Sequence, residues 1–186
     1  TNPFGENLKT VQLDKGPEST VYALTTSNNK IYCVGEVNKS ATLWITDSDG
    51  SNTSKISLEN VVNNTPAAIT VKNGLLYILS FQENATNTLS ITILDASGTF
   101  KTSIALGGTY GTSIQSFGNQ IFAVGFQGPQ ANSTATLWVT DTTGSSVSSY
   151  TIAPSPSTAT GIYIPQQETP TFYQALQKFS PVHFQK

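Results

Sequence analysis

Catalysis needs side chains that attack or move protons, and this sequence offers few. The one histidine, His183, lies among Pro181, Val182 and Phe184, and no Ser–His–Asp or Cys–His set can be built around it. The eleven Asp and Glu residues stand singly apart from Asp47 and Asp49, so no acid–base pair of the glycosidase kind presents itself. Cys33 is the sole cysteine and cannot form an intrachain disulfide. It sits in the strand-like run Ile31-Tyr32-Cys33-Val34 with no cation nearby in sequence, which reads as a small buried hydrophobe and not a reactive thiol.

The segment Asp47-Ser48-Asp49-Gly50-Ser51-Asn52 is similar to a calcium loop. Its counterparts further along, Asp95-Ala96-Ser97-Gly98 and Asp141-Thr142-Thr143-Gly144, keep Asp and Gly and lose the middle carboxylate. What persists is what a hairpin needs: an Asp that bonds its own turn and a Gly for positive φ. No metal and no cofactor are expected. Two aromatics remain as ligand-binding candidates, Trp44 and Trp138, which occupy equivalent positions and could form a sugar-stacking platform or lie buried between sheets. On these residues the expectation is a protein that is not an enzyme.

The elements that would position them repeat. Copy one holds Val21-Tyr22-Ala23-Leu24, Lys30 to Gly35, Thr42-Leu43-Trp44-Ile45-Thr46-Asp47 and Ser54 to Leu58. Copy two runs through Ala68 to Val71, Leu75 to Leu79, Leu89 to Asp95 and Lys101 to Leu106, and copy three through Ser113 to Gln115, Gln120 to Gly125, Thr136 to Asp141 and Val147 to Ile152. An aromatic recurs at 32, 77 and 122, and a turn glycine at 50, 98 and 144. Each copy offers four short runs rich in β-branched and aromatic residues, punctuated by Asn, Asp and Gly, with no helical period.

Four strands in about 45 residues, repeated, resemble β-propeller repeats over residues 8–152. The third strand and turn, Leu-Trp-(Ile/Val)-Thr-Asp-x-x-Gly at 43–50 and 137–144, resemble those of a WD-type blade, and no named family is assigned. The resemblance implies an all-β fold of tandem four-stranded blades at about 20–59, 67–106 and 112–152, with a β-sandwich as the alternative. Residues 8–13 match only a fourth strand and read as the outer strand of a preceding blade. After 152 come a Pro/Ser linker, the run Gly161-Ile162-Tyr163-Ile164 as the first strand of a further blade, and a tail to 186. A short helix is expected over 169–179, with Phe172, Leu176 and Phe179 at helical spacing as an interaction stripe.

Composition bounds the partners. Charged residues are 11% of the chain, and every basic residue other than His183 is a lysine, so the clustered guanidinium groups that grip nucleic acid are missing. No apolar run is long enough to span a membrane as a helix. A sequence without Met or Arg and a quarter Ser or Thr reads as a processed secreted form or a piece of a longer protein, in an extracellular or cell-envelope setting. The expected role is non-catalytic binding or structural assembly through blade surfaces, with a glycan or protein as ligand. Carbohydrate binding is the alternative and an enzyme the third reading. Because a blade packs a sheet on each neighbour, the end sheets must self-associate or meet the remainder of a longer chain.

Overall fold

The computed structural model describes residues 10–14, 18–59, 65–82, 88–129, 132–154, 157 and 159–163. They form twelve strands and three antiparallel sheets, each a simple meander. The first sheet is β1 (Ser19–Ser27), β2 (Lys30–Val37), β3 (Ser40–Asp47) and β4 (Ser54–Ser57). The second is β5 (Thr65–Lys72), β6 (Leu75–Phe81), β7 (Ser90–Asp95) and β8 (Phe100–Ala105). The third is β9 (Tyr110–Phe117), β10 (Gln120–Gln127), β11 (Thr134–Asp141) and β12 (Val147–Ala153). The all-β, propeller-like reading of the sequence thus stands as three stacked four-stranded sheets.

Strand alternation explains the stack. On β3, Ala41, Leu43 and Ile45 point one way and Thr42, Trp44 and Thr46 the other, and all six are buried. Both faces of such a strand need a covering layer. One core lies between the first and second sheets and includes Tyr32, Val34, Leu43, Ile45, Ile69, Leu76, Ile78 and Leu94. The next lies between the second and third and includes Tyr77, Leu79, Ile91, Ile93, Ile114, Ile121, Ala123 and Trp138. The second sheet is therefore covered on both sides. The first strands β1, β5 and β9 lie side by side, so the sheets meet along their inner edges.

Register repeats with the sequence. Tyr32 stands opposite Ile45, Tyr77 opposite Ile93, and Phe122 opposite Val139. Each pairing of first and second strand carries a bulge, at Val21/Ala23, Pro66/Ala68 and Val124/Gly125. Two copies place glycine there because the neighbouring backbone crowds the position. A Cβ on Gly35 would sit 1.9 Å from the Thr20 carbonyl oxygen, and one on Gly125 1.9 Å from that of Tyr110.

Between the second and third sheets, the ring of Trp138 slides under the chain at Gly108, where a Cβ would lie 2.5 Å from Trp138 Cζ2 and 2.8 Å from Leu89 Cδ2. Gly108→Val should lower stability by about 1–3 kcal/mol, as overpacking does, while Gly161→Ala, which meets nothing within 4 Å, should be near neutral. Urea denaturation of both variants checks this; equal midpoints would show that the ring has room to move.

Candidate functional site

The inner edges of the three sheets enclose a polar groove of about 470 Å³. β1 lines it with Thr25 and Thr26, β5 with Thr70, Val71 and Lys72, and β9 with Gln115, Ser116 and Phe117, with Gly118 at the turn. Thr25, Thr70 and Gln115 are equivalent positions, each opposite the recurring aromatic of the second strand. The Ser116 hydroxyl donates to the Val71 carbonyl at 3.0 Å and ties β9 to β5. Among the described lining residues Lys72 alone is charged. Hydroxyls, an amide and one ammonium can hydrogen-bond a polar ligand, but they include no carboxylate or imidazole to move a proton. Reading the sequence missed this groove, because Thr and Ser on inner strands have no contrast in a chain so rich in both.

The three Asp turns share one geometry. Gly50, Gly98 and Gly144 all take positive φ, between 77° and 88°. Their amides donate to the carbonyls of Asp47, Asp95 and Asp141 at 2.8, 2.9 and 3.3 Å. Asp95 Oδ1 accepts from the Ser97 hydroxyl at 2.5 Å and from the Ser97 and Thr99 amides at 3.0 Å each. Asp141 Oδ1 accepts from the Thr143 amide at 2.8 Å and hydroxyl at 2.7 Å, and the Ser145 hydroxyl donates to Oδ2. Hydrogen bonds to the ionised form, led by Ser97 and by Ser145, hold both carboxyls well below the usual range. Lys30 leads the same effect at Asp47, at 2.5 Å, with Asn52 adding to it. Each carboxylate is thus hydrogen-bonded within its own turn, and Asp47 and Asp95 also pair with Lys30 and Lys101 of the adjoining strands.

Neither tryptophan presents a face to solvent. Trp44 is 0% and Trp138 1% exposed, so the stacking platform expected of them has no surface at these positions. Trp138 fills the core between the second and third sheets. Trp44 lies on the far face of the first sheet with Cys33 and Val37, packed by Leu13 and Ile31. Among the described residues its buried indole Nε1–H has no hydrogen-bond acceptor. Burial also pushes the Cys33 thiol up, which keeps it protonated and unreactive. Tyr77 donates its hydroxyl to the Thr142 carbonyl at 2.9 Å, linking the second sheet to a turn of the third. Burial, with the Asp141 charge adding to it, raises its phenol. The expected helix and its residues Phe172, Leu176 and Phe179 lie outside the described residues.

The terminal segments take places that the repeat defines. Val11 Cγ2 lies where a Cβ on Gly50 would be, 2.1 Å from it. Ile56 on β4 and Ile104 on β8 stand in the same relation to Gly98 and Gly144, each at 2.4 Å. Residues 10–14, which take no strand conformation, thus carry Val11 to the position of a fourth-strand residue. At the other end Ile162 and Ala159 pack on Phe122, Val124, Leu137 and Val139, as Ile69 and Ile114 pack within the preceding cores. The Thr112 hydroxyl donates to the Ala159 carbonyl at 2.6 Å and anchors this segment. Between these covers apolar side chains stay exposed: Leu24, Val21 and Tyr22 on β1, and Tyr150 and Ile152 on β12.

No protein-family model and no curated protein matches the chain. Among solved structures it is similar to an alpha-L-arabinofuranosidase from Clostridium thermocellum, at 15% identity and a TM-score of 0.55, over 76% of this chain and 54% of that one. It is also similar to the acylaminoacyl peptidase of Pyrococcus horikoshii, at 16% identity and a TM-score of 0.51, over 75% of this chain and 26% of that one. A nidogen/laminin complex aligns at 13% identity and a TM-score of 0.48, over 66% and 43% of the two chains. The chain spans about half of the arabinofuranosidase and a quarter of the peptidase. At these identities the likeness shows a propeller-type fold and nothing of substrate. It does correct the expectation that the chain is not an enzyme. The arabinofuranosidase and the peptidase are both enzymes, so few catalytic side chains in one stretch of such a fold do not exclude catalysis.

The turn carboxylates set an acid limit. Their folded pKa values lie below the ordinary value near 4, so their contribution to stability is complete above that value and drains away as pH falls through the folded values. Thermal midpoints should stay level from neutral pH down to about 4 and then fall, and the double variant Asp95→Asn, Asp141→Asn should flatten that fall. An unchanged acid limb in the variant would remove these turns from the account.

Proposed function

We propose that this chain is a binding and assembly module of an extracellular or cell-envelope protein, acting through blade surfaces and joining further blades or a partner at its end sheets. The observation that carries this reading is the exposed apolar set at both ends of the stack. Tyr150 is 41% and Ile152 40% exposed, whereas Ile104 of β8, which holds Tyr150's register position, is buried. A surface built like an interior interface is a surface for association.

Sedimentation velocity over a hundredfold concentration range tests the reading. The chain should associate, and Tyr150→Lys with Ile152→Lys should shift association to at least tenfold higher concentration. A compact monomer at every concentration would sink it.

A second reading, carbohydrate binding, is favoured by the groove at Thr25, Thr70, Gln115 and Ser116 and no longer by the tryptophans. Sugars present hydroxyls that hydroxyl and amide side chains match. Titration with neutral monosaccharides should shift the Gln115 side-chain amide resonances in a saturable way; no shift with any of them ends this reading.

A further inference from the structure

We infer that the groove at the inner strands takes an acidic sugar, a hexuronic acid whose carboxylate meets Lys72 and whose hydroxyls meet Thr25, Thr70 and Gln115. The inference rests on the carbohydrate reading above and names the class of sugar.

Unmet hydrogen-bonding capacity carries it. Thr70 lines the groove and is only 6% exposed, yet its hydroxyl has no hydrogen-bond partner among the described residues. Elsewhere buried threonines are satisfied from within. Thr42, Thr46, Thr136 and Thr140 each donate to a backbone carbonyl, at 2.9 to 3.2 Å. A buried hydroxyl left without a partner is destabilising, so an oxygen brought by a ligand would complete Thr70. Its equivalents on β1 and β9, Thr25 and Gln115, likewise keep their side-chain polar groups free of partners among the described residues. The three sheets thus present one row of unengaged donors and acceptors to a common space.

The charge is set apart in the same way. Lys30, Lys55 and Lys101 pair with Asp47, Asp14 and Asp95, whereas Lys72 has no carboxylate partner among the described residues. Lys72 also departs from the repeat, since copies one and three place Ser27 and Phe117 at its register position. A single ammonium among neutral groups suits one negative charge. A phosphate dianion would leave charge unmatched, because its recognition leans on guanidinium forks or several cations. Phe117 lines the groove and packs against the third sheet, giving an apolar wall for the C–H face of a sugar ring.

Titrations with glucose, sodium glucuronate and sodium acetate, followed at the Gln115 side-chain amide, test the inference. Glucuronate should bind at least about fivefold more tightly than glucose at low salt, and high salt should shrink that preference. Lys72→Gln should abolish the preference, and Thr70→Val should weaken the binding of both sugars. Lys39→Gln, on an exposed turn at the opposite end of the first sheet, should leave the preference as it is. Equal affinity for glucose and glucuronate would overturn the inference and leave carbohydrate binding standing. Binding of neither sugar would overturn both. Acetate bound as tightly as glucuronate would overturn the inference as well, because the hydroxyl row would then play no part.

Discussion

A β-strand with apolar residues on both faces can be stable in water only if a layer lies on each side, and every other feature of this chain follows from that constraint. The central sheet meets it fully, with Leu76, Ile78 and Leu94 turned to one neighbour and Leu79, Ile91 and Ile93 to the other. The outer sheets use the same residue pattern, so each inherits the same need on a side where no complete sheet stands. Short segments relieve it in part. Leu13 shields Trp44 and Ile162 shields Phe122, each from the place a further blade would use.

The polar groups of the three turns serve shape. Asp47, Asp95 and Asp141 look like candidates for metal or proton chemistry, yet each is surrounded by hydroxyl and amide donors of its own turn. A carboxylate saturated in this way is a poor base and a poor ligand, because its lone pairs are already engaged. The glycines complete the motif, since the third sheet's turn must pass close to Ile104 and the second's close to Ile56. One small unit thus closes a hairpin and seats it on the neighbouring sheet.

Likeness to solved enzymes changes what may be inferred from scarcity. A propeller-type fold distributes functional side chains over several blades and loops, so three sheets can hold a minority of them. The groove at the inner strands shows the same geometry from within: three sheets contribute equivalent positions to one surface, and each further sheet would contribute its own.

The residues alone determined the strands, their fourfold grouping and the turns, because period-two alternation, Asp/Gly punctuation and a spacing of 45 between aromatics are local properties of the chain. They also led to Cys33 as a buried hydrophobe. What the sequence could not decide was which neighbour each face meets. Trp44 and Trp138 are identical in type and register, yet Trp138 enters a core between two sheets and Trp44 an end face closed by Leu13. The groove was invisible for the same reason, since Thr25, Thr70 and Gln115 become one surface only when separate sheets converge. Contacts between sheets are set by stacking, a property of the assembled layers that no single window of sequence contains.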